Sequence, residues 1–480
     1  MTSTDLRAWA ARLTIVPAAL FLAFANGRHM WWPATWIGLF LMVRFLRSQP
    51  PVRGLGIAWI VHLAVWAFQW SGVFRMAPGE FLVTAVIMSS IGLTPYAADR
   101  LLGPRLPAWA STLVLPSALV AMEFMFFTVS PYGAWGSIAY SQTDLPPLAM
   151  LASVTGMWGV TFLVGWTAST ANVAWEEIAA GRRFLWPAAA TAAVLGVALA
   201  FGASLRAGPG PAAGPAVAMV LPRLENNLNY ELEYTDQLLD GLFADSALAA
   251  PGARFVVWPE DSFAILAADE PAFLERARRF TAEHGVYLQA SYGRREAPGT
   301  RRYANKTVLI APSGRIVWDY RKTFPVPGYE ARHMIPGKRP APVAEIDGVR
   351  YAAAICYDGD HPQILRQVGP RADVLFLPSD DWPDIVDLHA RMVQLRAIEY
   401  GAFIVRPTIN GRTAAFTRRG EVLGAIEPGA PQPKTATVRV EPSRSDTPYS
   451  RHGDWFAWVC LGGLALLLLA GLLRPRPRPA

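Results

Sequence analysis

Three apolar runs end on side chains that can do chemistry. Phe255-Val256-Val257-Trp258 stops at Pro259 and presents Glu260. Asp319-Tyr320-Arg321 closes on Lys322. Ala352-Ala353-Ala354-Ile355 ends on Cys356. Loops at strand ends are common places for catalytic groups. Singly, each residue has an ordinary reading: an acid opening a helix, a solvated cation, a small buried hydrophobe. Together they supply what a thiol nucleophile needs. A free thiol has a pKa of about 8.5, so a base must take its proton and a cation must steady the charge that develops. Glu260 fits the base and Lys322 the cation.

The elements around these residues predict an α/β domain. Short β-compatible runs at 216–221, 254–258, 286–293, 349–356, 373–377 and 402–406 alternate with helical spacing at 228–248, 271–284, 362–368 and 386–400. Strands at 303–311 and 315–321 flank Pro312-Ser313-Gly314. A second pair at 413–417 and 422–425 flanks Arg418-Arg419-Gly420. Both read as hairpins.

The rest of the chain has a different character. Of its 480 residues, 52% are hydrophobic and 17% charged, with a mean hydropathy of +0.23. Ordinary soluble domains carry about 25% charged residues, and disordered chains are poor in apolar ones. A purely soluble enzyme and a disordered chain are both excluded. Two cysteines, Cys356 and Cys460, exclude a disulfide scaffold and a Cys-rich zinc site.

A membrane-spanning helix needs about 20 mostly apolar residues. Eight segments are expected to span: 10–27, 30–47, 55–75, 80–98, 107–129, 147–174, 185–205 and 455–473. The expected domains are therefore a seven-span membrane domain at 1–210, a globular domain at 211–450, and the eighth span with a short basic tail at 451–480. Loop charge sets orientation. Arg7, Arg12, Arg44, Arg47, Arg53, Arg100, Arg105, Arg182, Arg183, Arg474, Arg476 and Arg478 share one side, against Arg28, Arg75 and Arg206 on the other. This bias predicts cytoplasmic termini and a globular domain outside the cytoplasm.

The motifs Trp258-Pro259-Glu260, Tyr320-Arg321-Lys322 and Ile355-Cys356-Tyr357-Asp358 resemble the Glu-Lys-Cys triad of the nitrilase, or carbon–nitrogen hydrolase, superfamily. Leu375-Phe376-Leu377-Pro378-Ser379 and Arg396-Ala397-Ile398-Glu399 extend the likeness. Eight spans around such a domain resemble the apolipoprotein N-acyltransferase branch. So do Trp135-Gly136-Ser137-Ile138-Ala139-Tyr140-Ser141-Gln142 and Gly156-Met157-Trp158-Gly159-Val160-Thr161-Phe162. The resemblance implies a four-layer α-β-β-α sandwich on a multi-pass helical membrane domain in a bacterial inner membrane. It implies acyl transfer from a phospholipid, through a cysteine thioester, to the N-terminal amine of a lipidated lipoprotein. Glu260, Lys322 and Cys356 would be catalytic. The Tyr357 N–H would assist the oxyanion, and Glu330, eight residues after Lys322, would be a second acid.

The sequence departs from the branch at Asp358, where Glu is usual, and at Tyr230, where Trp is expected. Leu221-Pro222 replaces a Gln-containing motif, and Pro327-Gly328-Tyr329-Glu330 replaces Pro-Phe-Gly-Glu. These departures touch the acceptor more than the triad, and keep a membrane-tethered amidase as the alternative. A lipid-binding scaffold without catalysis is the other class. No cofactor and no nucleic-acid partner is expected; there is no phosphate-binding loop, no Gly-x-Ser-x-Gly elbow and no basic–aromatic alternation. Asp358, Asp360 and His361 read as a hydrogen-bond network rather than a metal site. The stretch 324–337, with Phe324, Val326, Tyr329, Met334 and Ile335, reads equally as a mobile lid or a packed crossing loop.

Overall fold

The structure is a computed structural model, and it describes residues 13–208, 214–223, 228–338, 340–442 and 446–473. The chain divides into two compact units. One comprises Met1–Ser130, Trp135–Ala207 and His452–Ala480; the other comprises Pro131–Ala134 and Gly208–Arg451.

In the second unit, a first sheet contains β1 (Ala216–Val220), β2 (Phe255–Val257), β3 (Ala264–Leu266), β4 (Tyr287–Arg295), β5 (Tyr303–Ile310) and β6 (Ile316–Arg321). A late strand, β15 (Thr435–Arg439), completes it in the order β15-β1-β2-β4-β5-β6, with β3 beside β4. The second sheet runs β14-β13-β11-β9-β8-β7. Its strands are β7 (Val343–Ile346), β8 (Val349–Ala353), β9 (Val374–Phe376), β11 (Phe403–Arg406), β13 (Thr413–Phe416) and β14 (Val422–Ile426). Two short parallel pieces, β10 (Ser379–Asp380) and β12 (Thr408–Ile409), pair separately.

Side chains alternate across a strand, and here both faces are apolar. Val217, Met219, Phe255, Val257, Leu309 and Trp318 of the first sheet meet Tyr351, Ala353, Val374, Phe376, Phe403 and Val405 of the second. The alternate residues, including Val256, Leu288, Ala290 and Val308, pack with Trp258 on the helices Thr235–Ala249 and Glu270–His284. The helix Val386–Tyr400 packs against β11 and β13. The result is four layers, α-β-β-α. Strands buried on both faces read as continuous apolar runs, which is why β1, β2, β8, β9 and β11 were legible in sequence.

Three expectations change locally. The helix expected from 228 begins at Thr235, after 3-10 turns at Leu228–Tyr230 and Leu232–Tyr234. Tertiary bonds hold that approach, as Asn229 Nδ2 donates to the Asp261 carbonyl at 2.7 Å. The strand expected to run to Cys356 stops at Ala353, and Cys356 opens a 3-10 turn to Asp360. The strands β3, β7, β10, β12 and β15 were not anticipated. They are two to five residues long, too short for a periodic pattern to stand out.

Among the described residues of the first unit, five helices are long and apolar enough to cross a membrane: Pro51–Trp70, Pro78–Arg105, Ala108–Val129, Leu185–Ala207 and Trp455–Leu473. The other expected spans look different. Segment 30–47 forms the helix Trp32–Arg47, of 16 residues. Segment 147–174 is broken into Pro146–Ala149, Ala152–Thr155 and Met157–Ala179, the last carrying Glu176 and Glu177. Segment 10–27 begins outside the described residues and contains the helix Ile15–Ala23.

Two buried acids inside this unit are paired. Glu123 accepts from Ser137 Oγ and Thr161 Oγ1, each at 2.9 Å, and from the Ile138 N–H at 3.0 Å. Trp158 Nε1 donates to Asp454 at 2.8 Å. Such pairing removes the large cost of an unmet polar group in hydrocarbon.

Candidate active site

Glu260, Lys322 and Cys356 converge. Glu260 follows β2 and Lys322 follows β6, both in the first sheet. Cys356 follows β8 in the second. The face-to-face packing of the sheets therefore brings the base and the cation to the thiol.

Lys322 lies at the centre. Its Nζ donates to Glu260 Oε1 at 2.8 Å and to Glu330 Oε1 and Oε2 at 2.9 and 2.8 Å. Lys322 is 1% exposed and Glu260 2%, so the ammonium is held among carboxylates away from water. Burial works against the charged amine, but the charges of Glu260 and Glu330 outweigh it and raise the Lys322 pKa well above its ordinary value. Burial raises Glu260, with Lys322 pulling the other way. The Glu260 carboxylate also accepts from Asn305 Nδ2 at 2.7 Å and from the Asp380 N–H at 2.8 Å.

The Cys356 sulfur lies 3.8 Å from the Asp380 carbonyl, within reach of the Glu260 and Lys322 charges. Burial, then the Glu260 charge, raise the thiol pKa well above its usual value. The resting group is a neutral thiol beside a base. Its backbone is unusual: φ is +45°, a left-handed conformation that costs a non-glycine residue of order 1–3 kcal/mol. Two bonds hold the bend: Cys356 N–H to the Pro378 carbonyl at 2.9 Å, and Asp358 N–H to the Ile355 carbonyl at 2.9 Å.

The supporting residues take distinct places. Asp358 faces away from the thiol. Its carboxylate accepts the Thr323 and Phe324 N–H groups at 3.0 and 2.8 Å and the Tyr320 hydroxyl at 2.8 Å. Burial raises this carboxyl to about 6. The Tyr357 hydroxyl donates to the Pro131 carbonyl at 2.8 Å, and the Ala134 N–H donates to the Asp360 carbonyl at 3.0 Å. Gly133, at φ +57°, makes that approach possible, since a Cβ there would stand 2.6 Å from the same carbonyl. The Tyr230 hydroxyl hydrogen-bonds Asp380.

The stretch 324–337 is tied down at both ends. Ile335 N–H donates to the Tyr303 carbonyl and Gly337 N–H to the Lys322 carbonyl, each at 2.7 Å. Phe324 stacks on His361 at 3.7 Å between ring centroids, and Met334 is buried. Tyr329, at the tip, is exposed.

Sequence reasoning missed Asn305, Asp380 and a buried ion network behind the cysteine. Asp381 accepts from Arg406 at 2.7 and 2.9 Å and lies 2.8 Å from His389 Nδ1; His389 Nε2 lies 3.3 Å from Asp360. Burial opposes ionisation of Asp381, but Arg406 and His389 lower its pKa. Burial likewise opposes the imidazolium, and Asp360 and Asp381 still raise His389 to about 9. The signal available was Asp380-Asp381 directly after the Leu377-Pro378-Ser379 motif. Among the described residues, two groups of donors lie within 4.8 Å, Cys356-Asp381-His389 and Glu260-Asp261-Glu330. A protein cation already pairs with part of each: Arg406 with Asp381 in the first, Lys322 with Glu260 and Glu330 in the second.

The family model described as carbon-nitrogen hydrolase matches residues 216–445, and the one described as apolipoprotein N-acyltransferase N-terminal domain matches 18–170. An apolipoprotein N-acyltransferase of Azotobacter vinelandii is 30% identical, over 98% of this chain and 96% of its own length. This chain belongs to the apolipoprotein N-acyltransferase family. Other members of the family include the Geobacter metallireducens protein, 23% identical over 91% of this chain and 90% of that one. The Pseudomonas putida protein is 25% identical over 96% and 97%. Among solved structures, an amidase from Nesterenkonia sp. covers 51% of this chain and 97% of its own, at 18% identity and a TM-score of 0.42. Both halves of this N-acyltransferase family member are thus matched, the membrane unit as well as the sandwich.

Proposed function

We propose that this membrane protein transfers a fatty acyl chain from a phospholipid to the N-terminal amine of a diacylglyceryl-cysteine lipoprotein, through a thioester on Cys356. The observation that carries the roles is the buried Lys322 ammonium, shared by Glu260 and Glu330, with Glu260 bonded to the N–H of Asp380, the residue whose carbonyl faces the Cys356 sulfur.

In the first half-reaction Glu260 takes the thiol proton as sulfur attacks the ester carbonyl. Lys322 and the Tyr357 N–H steady the oxyanion. The carbon–oxygen bond breaks, Glu260 returns the proton to the leaving alkoxide, and lysophospholipid departs. In the second half-reaction the amine attacks the thioester. The carbon–sulfur bond breaks, Glu260 accepts the ammonium proton, and the cysteine leaves as thiolate, reprotonated from Glu260. Glu330 holds Lys322 in place throughout. Neither half requires a metal or a cofactor.

The membrane reading is eight spans with the sandwich outside the cytoplasm of a bacterial inner membrane. The distribution of arginines supports it. Intact-mass analysis tests the function. A diacylated lipopeptide incubated with the protein and phospholipid should gain one acyl chain, and lose that gain in the Cys356→Ser variant. Release of free fatty acid alone would favour hydrolysis.

A further inference from the structure

The Cys356 site holds more acid than its one buried lysine can balance. Glu260, Asp261, Glu330 and Asp380 cluster there. Among the described residues, Lys322 is the one cation hydrogen-bonded to any of these four carboxyls. Glu260, Asp261 and Glu330 place oxygens within 4.8 Å of one another, and Asp380 adds its charge to Asp261 and feels that of Glu260.

Glu260 and Asp261 are buried; the partly buried pair is Glu330, which is taken up by Lys322, and Asp380. The Asp380 peptide spans the reacting groups, with its N–H on Glu260 at 2.8 Å and its carbonyl 3.8 Å from the Cys356 sulfur. Its side chain is only partly buried. One carboxyl oxygen takes the Tyr230 hydroxyl, and the other takes Asn410 Nδ2 at 3.2 Å. Asn410 is exposed and sits at φ +57°, so this end of the carboxyl borders solvent. Burial and the neighbouring charge of Glu260 disfavour a bare Asp380 carboxylate, and an incoming cation relieves that penalty.

The phospholipid ester has no cation at its reacting carbon. The second substrate does: an α-amino group is an ammonium around neutral pH, with a pKa of about 8. We propose that the Asp380 carboxylate, held by Tyr230 and Asn410, is the recognition group for the α-ammonium of the acceptor lipopeptide. It holds the ammonium at the Cys356 site; one proton is lost to solvent to free the amine, and Glu260 takes the second as the carbon–nitrogen bond forms and passes it to the departing thiolate. Tyr230, a departure from the family pattern, is then part of the acceptor site.

This inference rests on the proposed acyl transfer, and the test separates the two. Acyl-enzyme is formed from labelled phospholipid and then discharged either by a diacylated lipopeptide or by hydroxylamine, which is uncharged at neutral pH. In Asp380→Asn the lipopeptide KM should rise about 10- to 100-fold, the range for losing a charged hydrogen bond, so that discharge by the lipopeptide falls at least about 10-fold more than discharge by hydroxylamine. Asn410→Gly, which keeps the left-handed backbone, should raise the lipopeptide KM less, by about 3-fold, and decides the matter if Asp380→Asn does not fold. Unchanged lipopeptide discharge overturns the inference, as does equal loss toward both nucleophiles. Wild-type protein that forms no acyl-enzyme overturns the transfer reading itself.

Discussion

The Asp358 carboxylate accepts the Phe324 N–H at 2.8 Å, so the turn that carries the nucleophile is tied directly to the backbone just past Lys322. Asp358 lies two residues after Cys356, yet its work is done on the opposite sheet's loop. Its folded pKa, raised to about 6 by burial, exceeds the unfolded value of about 3.9. The stabilisation linked to that raised pKa is present below pH 4 and lost as pH rises through 6. The non-titrating Asp358→Asn variant should therefore close its stability gap to wild type by on the order of 3 kcal/mol across pH 4–6. Thermal unfolding in detergent micelles measures it; a constant gap would show that Asp358 does not titrate there.

Cys356→Ser should reduce acyl-enzyme formation by more than about 10³-fold, because an alcohol is a far weaker acid than a thiol and Glu260 cannot ionise enough of it. Cys460→Ser, in the helix Trp455–Leu473, should behave as wild type. Labelled phospholipid followed by gel analysis reads both, and equal effects would refute the nucleophile assignment.

Glu260→Gln should lower the first half-reaction by about 10²–10⁴-fold. In wild type the acid limb of the pH–rate profile should lie above the ordinary glutamate value of about 4.3, because burial raises Glu260. Activity falls as pH drops through that limb and the base takes up its proton. An acid limb at or below 4.3 would point to a different base.

His389 provides a stability test on the alkaline side. Its folded pKa of about 9 exceeds the unfolded value of about 6.5. Its contribution is thus complete below pH 6.5 and lost as pH rises through 9. His389→Gln should be less stable than wild type by on the order of 3 kcal/mol at pH 6, with the gap closing toward pH 9.5. Melting curves of the two proteins across that range check it.

A reporter active only outside the cytoplasm should be active when fused after Gly214 and silent after Arg183. The reverse pattern would place the Cys356 site in the cytoplasm, out of reach of exported lipoproteins.

Much of the sandwich was legible because its central strands are buried on both faces and stand out as apolar runs. Glu260, Lys322 and Cys356 were legible because each ends such a run. Asp380 and Asn305 were not, since one lies in a two-residue strand and the other within β5, where an isolated Asn carries no signal until register puts it beside Glu260. The segment 147–174 shows the converse difficulty: hydropathy reads it as one span, whereas the structure breaks it into Pro146–Ala149, Ala152–Thr155 and Met157–Ala179, with Gly156 at φ +66° at the second break.

The pairing of β1 with β15 bears on how the catalytic unit carries load. Ala216 stands opposite Arg439 in an antiparallel ladder, and Gly214 and Val440 extend it, with N–H donated to carbonyl at 2.9 Å. The stretch 214–440 thus enters and leaves the sandwich at one corner, on adjacent strands. Tension between the two connections pulls those strands apart like a zipper, one hydrogen bond at a time, instead of shearing all of them together. Force carried by these two connections alone opens this corner first, before it reaches the ladders between β2, β4 and β5.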